Sequence, residues 1–121
     1  MQSNASRIVV VLGTGGTIAG TAARADDDIG YRAAQLGVGE LVAALRGAVP
    51  AGVALESEQV AQLNSKDMTH AVWAALARRV AAQLARPEVA GVVVTHGTDT
   101  LEETAYFLQR VLAPAKPVVL T

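Results

Sequence analysis

The run Ile8-Val9-Val10-Val11-Leu12, closing on Gly13-Thr14-Gly15-Gly16-Thr17, decides the fold. It has no polar residue to offer a solvent face, and its β-branched side chains favour extended backbone. It therefore reads as a strand covered on both sides, the environment of a central strand in a parallel sheet. The glycines that end it supply backbone amides with no side chain over them, an arrangement suited to an anion or a developing oxyanion. In an open parallel sheet the carboxyl ends of all strands lie along one rim, where ligands bind.

Working outward, two further polar clusters occupy the same position relative to an apolar run. Asn64-Ser65-Lys66-Asp67 follows the partly alternating stretch Ala54 to Leu63, whose later half is read as the second strand. Thr95-His96-Gly97-Thr98-Asp99 follows Val89 to Thr95, a third strand through Val92-Val93-Val94. Helical spacing appears between them: Leu41, Val42 and Leu45 before Gly47 and Pro50, then Val72, Leu76, Val80 and Leu84 before Pro87. On the latter helix Arg78, Arg79 and Gln83 are placed on the face opposite the apolar one. Leu101, Ala105, Leu108 and Leu112 mark a further helix before Pro114, and Lys116-Pro117-Val118-Val119-Leu120-Thr121 opens a fourth strand. Strand and helix alternate throughout, which predicts an α/β fold, a doubly wound (Rossmann-like) parallel sheet in three α/β/α layers. Gly20 to Tyr31 has no periodicity, exceeds an ordinary strand-to-helix connection, and reads as a lid.

Composition narrows the function classes. Half of the 121 residues are apolar but only 3% are aromatic, so the core is expected to be aliphatic. A net charge of −1 gives no long-range field to gather nucleic acid or an anionic membrane, which favours a small-molecule partner. The absence of cysteine excludes disulfides, thiolate metal sites and a cysteine nucleophile. The apolar run Ile8 to Leu12 is too short to span a membrane, and a cytoplasmic location is the expectation, or a periplasmic one if a leader was removed.

Each cluster also admits a plainer reading. The first glycine turn is not a dinucleotide fingerprint, because Ile18 stands where the third glycine is needed and no acidic residue closes the second strand. Ser65 and Asp67 can cap the following helix, and Thr98, Asp99 and Thr100 the next; Asp99 to Glu102 and Thr100 to Glu103 have capping-box spacing. Capping and catalysis are compatible here. His96, between a strand end and a glycine, reads as a neutral, hydrogen-bonded turn residue rather than a general base, and His70 as a solvated one. Asp26-Asp27-Asp28 lacks the alternating ligand spacing of a calcium loop and reads as solvated, so no metal site is expected.

Two stretches, Gly13-Thr14-Gly15-Gly16-Thr17-Ile18-Ala19-Gly20 and Thr95-His96-Gly97-Thr98-Asp99-Thr100-Leu101-Glu102-Glu103-Thr104-Ala105, resemble the signature motifs of the bacterial L-asparaginase (asparaginase/glutaminase) family. Asn64-Ser65-Lys66-Asp67-Met68 looks like its substrate-binding loop and Lys116-Pro117-Val118-Val119 like its fourth strand, so the resemblance spans nearly the whole chain. It implies hydrolysis of asparagine, and of glutamine in some members, through an acyl-enzyme, with no metal or organic cofactor. By motif position Thr17 is the nucleophile, Tyr31 assists it, and Thr98 is the second catalytic threonine. Ser65 and Asp99 hold the substrate's α-carboxylate and α-ammonium, with Asn64, Lys66 and Gly97 lining the same site. The resemblance further implies that residues 1–121 form an amino-terminal domain, that a smaller carboxyl-terminal domain is absent from this chain, and that the full-length protein assembles as a dimer of dimers.

The match departs from the family at Asn64 and Lys66, where the better-known members carry Gly and Gln, a difference that bears on side-chain specificity. The family's lysine that partners the second threonine has no counterpart here, since Lys66 and Lys116 stand at other positions. The 121-residue segment is therefore expected to have little activity alone. Two alternatives stay open at this point: a non-catalytic amino-acid-binding or assembly fragment, and the asparaginase-like subunit of a tRNA amidotransferase.

Overall fold

The computed structural model describes residues 7–16 and 37–121, together with the backbone of residues 21–22 and 31–32. Four strands form a parallel sheet in the order β4-β1-β5-β6: β1 (Arg7–Gly15), β4 (Val53–Leu63), β5 (Val89–Thr95) and β6 (Val118–Leu120). A two-residue antiparallel pair, β2 (Thr21–Ala22) with β3 (Tyr31–Arg32), sits in the connection after β1, so part of the stretch expected to be a structureless lid is a β-ribbon. Three helices complete the fold: α1 (Val38–Leu45), α2 (His70–Leu84) and α3 (Leu101–Leu112). The expected doubly wound α/β architecture is what the chain adopts.

The layers follow from strand alternation. Ile8, Val10 and Leu12 of β1, with Val92 and Val94 of β5, face Leu76, Ala77 and Val80 of α2 and Leu108 of α3. Leu12, Leu76, Val80 and Val94 are fully buried there. Val11 faces the other way, against Val38 and Val42 of α1, with Leu55 and Val93 at the edge of that smaller cluster. Beyond α1 this second face is thinly covered, and Val9, Gly91, Val93, Pro117 and Val119 line a shallow apolar hollow.

Strand order makes the site. The chain leaves β1 toward β4 on one side and returns past β1 to β5 on the other, so the winding reverses between β1 and β5. Gly15, the end of β1, lies opposite Leu63, the end of β4, and Gly13 lies opposite Thr95, the end of β5, so all three strands finish on the same rim.

Two expectations are corrected. β4 runs the full length from Val53 to Leu63 rather than its later half alone. Its early polar residues are paired: Glu58 meets Arg79 of α2, and Glu56 meets Arg86 in the turn after α2. Arg79 and Gln83 accordingly do not form a solvated outer face. Arg79 Nε and Nη2 donate to the Glu58 carboxylate at 2.6 and 3.0 Å, and Gln83, buried, donates to it at 3.2 Å.

Candidate active site

The loops after β1, β4 and β5 meet in backbone contact. After β4 a short 3-10 turn, Ser65–Asp67, is capped by Asn64, whose Oδ1 accepts from Lys66 N at 3.2 Å. The turn drives Ser65 inward to 2% exposure and leaves Lys66 and Asp67 exposed. Gly97 lies directly on Ser65: a Cβ there would stand 2.5 Å from Ser65 Oγ. Gly16, at φ +84°, lies in turn on Gly97, where a Cβ would stand 2.3 Å from Gly97 N. Only glycine tolerates that φ without strain and that approach without a clash, so the three turns stack because two of their residues lack side chains.

Polar contacts lock the stack. Asp99 N donates to Ser65 Oγ at 3.1 Å, and Thr100 Oγ1 donates to Ser65 O at 2.9 Å. Gly16 N donates to Leu63 O at 3.1 Å, and His96 N to Thr121 O at 2.8 Å. Thr14, buried, donates its hydroxyl to Thr95 O at 2.5 Å, while the buried Thr95 Oγ1 has no partner among the described residues. Thr98 and Asp99 stand exposed beside this knot. The arrangement sets the exposed Thr98 and Asp99 over a floor of closely packed backbone and hydrogen-bonded hydroxyls.

Of the residues offered as caps, Thr100 alone takes an N-cap position, that of α3, while Ser65 and Asp67 do not cap α2. Thr69, which the sequence reading passed over, is the N-cap of α2: its Oγ1 accepts from Val72 N at 3.2 Å, and the helix begins at His70. Thr100 is the N-cap of α3 without a side-chain cap bond, because its hydroxyl is committed to Ser65 O across the site. Neither predicted capping box forms. Ser65 and Thr100 bind loop to loop, a use that leaves no local sequence signal.

His96 behaves as expected of a buried, hydrogen-bonded turn residue, with Nδ1 on Gly97 O at 2.6 Å and Nε2 on Thr104 Oγ1 at 2.7 Å. His70 is exposed and stacks on Trp73 at a 6.0 Å centroid distance. Thr17 lies outside the described residues, directly after Gly16. For Tyr31 the backbone is described, opposite Ala22, and the side chain is not. Ser65, Gly97, Thr98 and Asp99 are brought together as expected, with Asn64 and Lys66 beside them. Among the described residues no group of three His, Asp or Glu side chains is placed to hold a metal ion.

A doubly wound sheet whose post-strand loops close on one another at the winding reversal defines a class of α/β proteins that act on a small ligand at the strand ends. Comparison narrows the class: the chain belongs to the asparaginase family, whose model "Asparaginase, N-terminal" matches residues 8–121. It is 43% identical over 112 residues to the "Glutaminase-asparaginase" of Pseudomonas fluorescens biotype A, covering 93% of this chain and 31% of that protein. It is 42% identical over 115 residues to the "Probable L-asparaginase periplasmic" of Haemophilus influenzae, with the same coverage. A crystal structure of a "Probable Cytoplasmic L-asparaginase" from Campylobacter jejuni superposes with a TM-score of 0.82 at 39% identity, over 94% of this chain and 34% of that one. The chain thus spans about a third of the length of these relatives.

Proposed function

We propose that the protein to which this chain belongs hydrolyses L-asparagine, and L-glutamine as a second substrate, to the amino acid and ammonia. The observation that carries the reading is the contact of Gly97 with both Gly16 and Ser65, which brings three family-motif turns together. Relatives named for asparaginase and glutaminase activity, at about 40% identity, support the same chemistry.

In this reading the Thr17 hydroxyl attacks the side-chain amide carbon. Its proton passes, with Tyr31 assisting, toward the departing nitrogen, and ammonia leaves an acyl ester that water then hydrolyses. An alcohol is a weak nucleophile until a neighbour accepts its proton, so Thr17 alone does little. Thr98 is the second catalytic threonine, and backbone amides of the glycine turns stabilise the oxyanion. Asp99 receives the α-ammonium, Ser65 the α-carboxylate, and Asn64, Lys66 and Gly97 shape the wall around them. No cofactor enters these steps. The full-length protein works as a homotetramer, a dimer of dimers with a second, smaller domain, in the cytoplasm.

The test is ammonia release from asparagine by the protein at its full natural length. Thr17→Ala is expected to abolish it, and full turnover in that variant would end the mechanism.

A further inference from the structure

A relay of three hydrogen bonds runs from a helix surface to the floor of the candidate site, and the directions of its two outer bonds are set by groups that can play only one part. Trp73 Nε1 lies 2.9 Å from Thr104 Oγ1, Thr104 Oγ1 lies 2.7 Å from His96 Nε2, and His96 Nδ1 lies 2.6 Å from Gly97 O. An indole N–H only donates, so Thr104 accepts from Trp73; a carbonyl only accepts, so His96 carries its proton on Nδ1. In the neutral ring Nε2 then holds a lone pair, and the Thr104 hydroxyl proton satisfies it. His96 is 2% exposed and Thr104 is fully buried, so water does not substitute for either partner.

The relay ends on one peptide group. Holding the Gly97 carbonyl inward turns the Thr98 N–H the opposite way, because the peptide is planar and trans. Gly97 lacks the Cβ that elsewhere limits rotation of such a peptide, and packing on Ser65 forbids one. Orientation of that peptide therefore draws on the neighbouring His96 ring, which Thr104 in turn holds. We infer that Thr104 and His96 are positioning residues that fix the Gly97–Thr98 peptide, and with it the segment carrying Thr98 and Asp99, for the hydrolysis proposed above. Trp73, packed flat on Phe107 at 4.8 Å, fixes the outer end. The inference rests on the amidohydrolase reading, and neither His96 nor Thr104 touches substrate in it.

The experiment compares Thr104→Val, Thr104→Ser, His96→Leu and His96→Asn with wild type and Thr17→Ala in the full-length protein. Thr104→Val and His96→Leu are expected to lower kcat for asparagine by about tenfold with a smaller change in KM, the scale of a slightly displaced site group. Thr104→Ser keeps the hydroxyl and His96→Asn keeps a donor near Nδ1, so both are expected within about twofold of wild type. Nitrogen NMR of His96 is expected to report the Nδ1–H tautomer in wild type and Thr104→Ser. Wild-type kcat in Thr104→Val and His96→Leu, with Thr17→Ala inactive, overturns the positioning role and leaves the hydrolase standing. Turnover in Thr17→Ala overturns the reading beneath it. An Nε2–H tautomer in the wild type overturns the relay whatever the kinetics, including when Thr104→Val fails to fold.

Discussion

The two rims of the sheet are built on opposite principles. At the amino-terminal rim, long charged side chains reach across gaps: Arg86 pairs with Glu56 at 2.6 Å and Glu88 at 3.1 Å, and Lys116 donates to Leu84 O and Arg86 O at 2.9 and 2.8 Å, closing the end of α2. At the carboxyl rim there is no gap to span. Gly16, Gly97 and Ser65 touch through backbone and a hydroxyl, while the nearby charges, Lys66, Asp67 and Asp99, form no ion pair among the described residues. A fastening of flexible arms tolerates an ångström of error and a change of partner. A stack of backbones tolerates neither, and the proposed site sits on the stack.

The comparison is most readily broken at Gly16. Gly16→Ala forces a Cβ against Gly97 N at a left-handed φ, and is expected to cost more than about 3 kcal/mol by chemical denaturation and to remove activity. Next in size, Ser65→Ala orphans the Asp99 amide. A loss of about 1–3 kcal/mol is expected, with a rise in KM for asparagine of about tenfold or more if Ser65 also holds the carboxylate. At the other rim, Lys116→Met removes a charged donor from the last carbonyls of α2. It is expected to cost about 1 kcal/mol in urea unfolding and to leave KM unchanged.

The smallest effect is one of pH. The hydrogen bonds from Arg79, then Gln83, hold the Glu58 carboxyl below its ordinary value near 4.5, and Arg86 does the same for Glu56. A depressed acid contributes stability that is fully present above its unfolded value and is lost as pH falls through the folded one. Melting temperature is therefore expected to decline below about pH 4.5, and Glu58→Gln to flatten that decline. An unchanged acid profile in Glu58→Gln would show that the pair contributes nothing, as exposed pairs often do.

Legibility in the sequence divides along the same line. β1, α2, β5 and α3 were readable because a covered strand and an amphipathic helix leave their period in consecutive residues. β4 was half readable: the partners of Glu56 and Glu58, Arg86 in the turn after α2 and Arg79 on α2 itself, come later in the chain and leave no local mark. The positions of the site turns were readable from the strand ends, but their locks were not. Thr100 has the local spacing of a cap and bonds instead to Ser65 O, thirty-five residues away, and Thr69 caps α2 without a glutamate three residues on to announce it. Long-range bonds of that kind have no period, and only the fold reveals them.

One consequence follows from how the connection after β1 is mounted. It leaves at Gly16, whose amide is held by Leu63 O, and it arrives at Val38, whose amide is held at 2.6 Å by Gln59 Oε1. Both fasteners belong to β4 and are four positions apart on it. Because the entropy of closing a chain between fixed ends grows only slowly with its length, this segment is a cartridge. A change of length between those two fasteners is therefore expected to leave the register of the four-stranded parallel sheet undisturbed.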